Sequence, residues 1–123
     1  MGSEMCIRDR SKVVRLENPA TSLKVQFAGF RPTGSNFRVY YKVFRSDSPS
    51  KYQLWRGFNN TGRSDTDPGV ASAQTAILKD FDDYTFTSVD LPDFDAFQIK
   101  IVMITTNQAL VPLIKDLRVL ALA

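Results

Sequence analysis

Aspartates supply most of the side chains that could do chemistry. Asp65 with Asp67 and Asp93 with Asp95 sit two residues apart within turn-forming sequence, where paired oxygen donors are commonly found around calcium. The pattern lacks the longer oxygen series, central glycine and closing glutamate of an EF-hand loop, and Asp is a favoured turn residue in its own right. A weak calcium site and plain turn chemistry are therefore the two readings of these pairs. Asp80, Asp82 and Asp83 would have to hold any glycosidase-like acid/base pair, because Glu17 is the single glutamate after residue 10. A general acid also needs a closed apolar pocket to raise its pKa, and turn-borne aspartates rarely have one.

Composition removes further chemistry. The chain has no histidine and one cysteine, Cys6. Ser-His and Cys-His nucleophile pairs, zinc-His sites and an imidazole acid/base are thereby excluded. An internal disulfide is excluded as well, so packing must hold the fold. No catalytic residue, metal or cofactor is expected.

One group of residues suggests a ligand. Trp55, beside Arg56 and after Tyr52, has the makings of a sugar-stacking platform on the face of a sheet. The competing reading puts Trp55, the lone tryptophan, in the core. Arg38, Lys42, Arg45, Lys51, Arg56 and Arg63 also accompany Tyr40, Tyr52, Trp55 and Phe58, a mixture of the kind that holds single-stranded nucleic acid. Eight aspartates within residues 64–95 would repel phosphates and no nucleic-acid-binding motif is present, so nucleic acid is not an expected partner.

The elements that must position these residues read as strands. Leu23, Val25 and Phe27 alternate with Lys24 and Gln26, and Phe37, Val39, Tyr41 and Val43 alternate with Arg38, Tyr40, Lys42 and Phe44. Phe97, Ile99, Ile101 and Met103 repeat the pattern. A last strand, Ile114 to Leu122, places Ile114, Asp116, Arg118, Leu120 and Leu122 on one face and Lys115, Leu117, Val119 and Ala121 on the other. Val13–Glu17, Tyr52–Arg56 and Tyr84–Val89 are weaker candidates, and Ala71–Lys79 has room for one short helical turn. Turn sequences at 18–21, 31–35, 46–50, 91–93 and 105–108 separate the runs. The segment Gly57–Pro68, rich in turn formers and almost without apolar residues, is expected to be a surface loop, either functional or disordered. Asn59-Asn60-Thr61 matches a glycosylation acceptor, a chance match in a chain with no secretory signal.

With 123 residues, 43% of them apolar, one compact core is expected. No run approaches the roughly 18 uninterrupted apolar residues of a membrane helix, and the N-terminus lacks signal-peptide order, so a soluble domain is expected. Charge is segregated. Residues 12–63 hold ten Lys/Arg against two acids, whereas residues 64–95 hold one Lys against eight Asp. Either these regions neutralise each other within the fold, or they form opposed surfaces that dock neighbouring copies or partner proteins.

Residues 1–10, MGSEMCIRDR, show neither strand alternation nor a helical face. The string SEMCIRDR resembles an in-frame translation of a sequencing adapter. Residues 1–11 are accordingly expected to be a disordered, non-native leader, with the natural polypeptide continuing upstream; a disordered native tail is the alternative.

The run FQIKIVMITTNQALVPLIKDLRVLALA (97–123) resembles the closing segment of large virion structural proteins of tailed bacteriophages, of the marine cyanophage type. NPATSLKVQFAGFRPTGSNFRVYYKVF (18–44) is similar to the preceding portion of the same family, while residues 45–96 depart from it. The resemblance implies a non-enzymatic tail or baseplate component located in the virion. The expectation is an all-β antiparallel sandwich, jelly-roll-like with seven to eight strands, over residues 12–123, forming the C-terminal part of a longer protein. Its expected role is assembly or protein-protein contact, with other virion proteins or copies of itself as partners and no membrane. The alternative is a carbohydrate-binding module in a host-adhesion protein, with Tyr52, Trp55 and Arg56 binding a host-surface glycan.

Overall fold

A computed structural model describes residues 5–10, 13–30, 35–45, 54–65, 82–105 and 112–123, with residues 5–10 and Asp82 described by backbone alone. The elements are β1 (Met5–Arg10), β2 (Val14–Ala20), β3 (Ser22–Phe30), β4 (Ser35–Phe44), the two-residue β5 (Arg56–Gly57), β6 (Asp82–Ser88), β7 (Phe94–Thr105) and β8 (Leu113–Leu122). Among the described residues there is no helix. The proposed helical turn at 71–79 and the turns at 46–50 and 106–108 lie outside the described residues.

Two antiparallel sheets pack as a β-sandwich. In sheet A the order is β1-β7-β4-β5, with β2 also on β7; in sheet B it is β6-β3-β8. The pairs β2 with β7, β3 with β6 and β4 with β5 are successive rungs of one long antiparallel ribbon. Wrapping that ribbon sets β4 beside β7 and β3 beside β8. This is jelly-roll connectivity, in which β4 and β5 alone, among the described strands, are neighbours both in sequence and within a sheet.

Alternation decides which side chains meet between the sheets. On β3 the residues Leu23, Val25 and Phe27 are buried, and on β4 Phe37, Val39 and Tyr41 are buried, while their neighbours in sequence are only half-buried. The resulting core is aromatic at its centre. Phe27 lies 5.3 Å from Phe37, 5.7 Å from Tyr84 and 5.4 Å from Phe86, measured between ring centroids. Phe37 belongs to sheet A and the other three rings to sheet B, and Phe37 also lies 5.3 Å from Tyr84, so two ring contacts of this cluster tie the layers together. Gly29 leaves the space these rings occupy: a Cβ there would fall 2.8 Å from Phe37 Cε2 and 2.9 Å from Tyr84 Cε2.

The loop after β5 closes one side of the sandwich. Within the span expected to be a surface loop, Phe58 is fully buried, with Tyr41 at 4.8 Å and Phe86 at 6.1 Å. That expectation is corrected over 57–65, because the backbone turns tightly enough to drive a ring inward. Asn59, Asn60 and Gly62 all adopt positive φ, which Asn tolerates and Gly favours. Gly62 O accepts from Val39 N at 2.8 Å, and Phe58 N donates to Val39 O at 3.1 Å, fastening the turn to β4.

Two expectations about strands are corrected. In β8 the register with β3 shifts between Gln26 and Ala28, and Asp116 has φ 56°. A bulge at this point adds a residue, so Ile114 joins Val119 and Ala121 against the core instead of sharing a face with Arg118, Leu120 and Leu122. The second correction concerns residues 5–10, expected to be disordered. They run as β1, paired residue for residue with Thr105 back to Lys100. The pairing needs no side-chain pattern: β2 contacts only the start of β7, and the remaining edge presents unpaired backbone groups that any extended segment satisfies.

Replacing Phe27 by Ala removes the shared ring, and urea unfolding is expected to show a loss of about 3–5 kcal/mol. Asp116→Gly is expected to be neutral or mildly stabilising, whereas Asp116→Val loses about 1–2 kcal/mol because a β-branched residue resists positive φ.

Candidate functional site

The parity of β4 and β7 builds the outer face of sheet A. With Tyr41, Ile99 and Ile101 turned inward, Arg38, Tyr40, Lys42 and Lys100 project from the opposite side. Tyr40 is paired with Lys100 and Lys42 with Gln98 across the two strands. Trp55, just before β5, reaches the same face. Lys42 Nζ lies 4.9 Å and Lys100 Nζ 4.8 Å from its ring centroid, and Lys100 Nζ is also 5.1 Å from the Tyr40 ring. Trp55 is therefore half-buried on the outside and is not a core residue, contrary to the core reading.

The reason is local. Core positions at this end of the sandwich are filled by Phe58 and Tyr41, which leaves the indole outside, where two ammonium groups over its π-surface contribute about 0.5–1 kcal/mol each. Arg56 follows in β5, paired with Tyr41 and exposed. Tyr52 lies outside the described residues. The expected platform of Tyr52, Trp55 and Arg56 thus becomes, where it is described, a basic-aromatic cluster in which Lys42 and Lys100 already engage the indole. Lys100 was missing from the sequence reading of a ligand site, and Tyr40 entered it only in the basic-aromatic group weighed for nucleic acid. Their signal was strand parity, since each occupies a position flanked by inward-facing residues.

On the same strand, Arg38 Nη1 is buried with no hydrogen-bond partner among the described residues, as is Arg63 Nε in the adjoining loop. Buried donors without acceptors are uncommon and costly. Among the residues of β4 and β7 that face outward here, at 36–42 and 98–104, none is acidic.

The other outer face is of mixed charge. Thr85, Gln26 and Arg118 form one row across sheet B, and Asp83, Ala28 and Lys115 the next. The small Ala28 leaves a half-open cleft of about 370 Å³, which the bulged Asp116 also lines. Asp80 and the side chain of Asp82, the remaining members of the postulated carboxylate group, lie outside the described residues.

Comparisons with family models, curated proteins and solved structures return no match.

Asp65 takes a structural part. Asp65 Oδ1 accepts from Thr87 N at 3.0 Å and from Asn59 Nδ2 at 2.9 Å, and Asp65 Oδ2 accepts from Thr87 Oγ1 at 2.7 Å. Asp65 N donates in turn to Thr85 O at 2.8 Å. The residue thus fastens the loop to the edge of β6. Asn59 Nδ2 also donates to Arg63 O at 2.9 Å, which occupies both of its hydrogens. Asp67 lies outside the described residues, and among those described no group of three or more metal-ligating side chains occurs. No helix among them is long and apolar enough to cross a membrane.

Trp55→Ala is expected to lower stability by only about 1–2 kcal/mol, well below the loss from truncating a core aromatic. Chemical denaturation measures the difference, and a loss as large as that of Phe27→Ala would place the indole in the core after all.

Proposed function

We propose that this jelly-roll domain is a non-enzymatic structural module that makes protein-protein contacts during assembly of a phage particle, as a tail or baseplate component. The outer face of sheet A carries the reading. Arg38, Tyr40 and Trp55, of types enriched at protein interfaces, form with Lys42 and Lys100 a basic-aromatic patch backed by a packed sheet. An acidic surface, on another virion protein or on a second copy, is the complementary partner. The particle itself is suggested by the likeness of residues 18–44 and 97–123 to virion structural proteins.

The carbohydrate-binding alternative has less support at Trp55. Sugar stacking needs an accessible ring face, and two ammonium groups already engage this indole.

Sedimentation of the wild type and of Lys42→Glu/Lys100→Glu protein at low and high salt, with a glycan array run in parallel, tests the proposal. The expected result is association of the wild type with itself or with an acidic partner from the particle, weakened by salt and abolished by charge reversal, with no glycan bound. Glycan binding lost in Trp55→Ala, together with a salt-independent monomer that ignores particle proteins, would favour the alternative.

A further inference from the structure

The ribbon that organises this fold is missing a rung. It pairs β2 with β7, β3 with β6 and β4 with β5, and the same rule pairs a first strand with β8. That pair does not form, because β1 lies against β7 beyond the end of β2. β8 is consequently the last strand of sheet B, with no described strand on its far side.

The other edges are handled differently. The loop at 57–65 covers β4 beyond the two residues of β5, through the bonds of Val39 with Gly62 and Phe58. Asp65 fastens the same loop along β6 by its backbone and its carboxylate. β1 and β2 together line β7. Along β8, Leu113, Leu117, Leu120 and Leu122 are instead 39, 51, 39 and 50% exposed, half of the eight large apolar side chains exposed among the described residues. A ten-residue edge so rich in leucine is what natural sheets avoid leaving open.

We propose that the edge of β8, unpaired among the described residues, is the acceptor for one further antiparallel strand, the first rung of the jelly roll, donated in cis by polypeptide that precedes β2, an inference that rests on the reading of residues 1–11 as a non-native leader with natural chain upstream. Three observations select this occupant over a second copy or a foreign strand. Connectivity is the first, since the vacant rung is the one a strand immediately before β2 fills in the ribbon. The second is the chemistry of Met5–Arg10, which has no alternating apolar residues to cover Leu120 and Leu122 and so settles where only backbone pairing is asked for. The third is the bulge at Asp116, which interrupts the edge and limits regular pairing to Leu117–Leu122. Six residues of ladder give too small a contact for a stable intermolecular dimer, but suffice for a tethered strand at high effective concentration. The donor strand is therefore short and alternates apolar with polar residues, and its outward apolar side chains lie over Leu120 and Leu122. The proposal concerns sheet B and is independent of the contact face on sheet A.

The experiment replaces residues 1–12 by an eight-residue strand of alternating Val and Thr, joined to Val13 by a Gly/Ser hinge of roughly ten residues, enough to cross a sandwich about 10 Å thick. Amide exchange by NMR is compared with a version whose strand carries prolines at alternate positions. The expected result is at least a tenfold slowing of alternate amides within Leu117–Leu122 and a higher Tm, in a protein that sediments as a monomer. Slowing at Lys100–Thr105 with β8 unchanged, or at neither edge, would overturn the proposal. Slowing of β8 that accompanies a dimer would overturn it too, by assigning the edge to a second copy. Should the graft fail to fold, the same Val/Thr peptide added in trans to the original chain is read at the same amides, with the same two edges as alternatives. None of these results alters the salt dependence expected for the sheet A face, so the two ideas fail separately.

Discussion

Phe27 is the point on which the two sheets depend. Its ring touches Phe37 across the sandwich and Tyr84 and Phe86 within its own sheet, and the absence of a Cβ at Gly29 is what lets the Phe37 and Tyr84 rings approach β3. In a chain with no internal disulfide available, this interlocking of rings stands where a covalent bridge would otherwise hold two small sheets. It also sets the strand parity. Once Leu23, Val25 and Phe27 point inward, Lys24, Gln26 and Ala28 must face out; the corresponding choice on β4 sends Arg38, Tyr40 and Lys42 to the opposite surface.

The two outer faces then differ in kind. Sheet A presents cations and aromatics held against one another, with Lys100 shared between Tyr40 and Trp55. Sheet B presents a mixed-charge cleft and a leucine-rich margin. The sequence-level division into a basic and an acidic half is therefore only partly a division of surfaces. The cations of β4 do gather on one face, but Asp65, from the acidic segment 64–95, is spent on stitching a loop to β6. An acidic residue that holds backbone in place has little left for metal or substrate.

Much of the fold could be read in advance because alternation is a short-range signal. β3, β4 and β7 follow directly from their apolar period, and turn residues separate them. What escaped depended on longer-range or conformational facts. The bulge in β8 rests on Asp116 adopting positive φ, which an Asp in an otherwise regular strand does not advertise. Burial of Phe58 rests on three residues with positive φ that fold a polar segment back on itself. Trp55 could not be assigned to core or surface, since a single aromatic before a two-residue strand has no period to orient it. β1 had no pattern to find; its pairing follows from the vacancy beside β7, not from its own residues.

The order of strands around the Phe27 core is the claim on which everything else rests, and cross-strand Hα contacts measured by NMR test it most directly. The account predicts contacts between Val25 and Val119, between Val39 and Ile101, and between Gln26 and Thr85, with none joining β3 to β4. Contacts running along β3 and β4 as a simple hairpin, with β8 removed from β3, would contradict it.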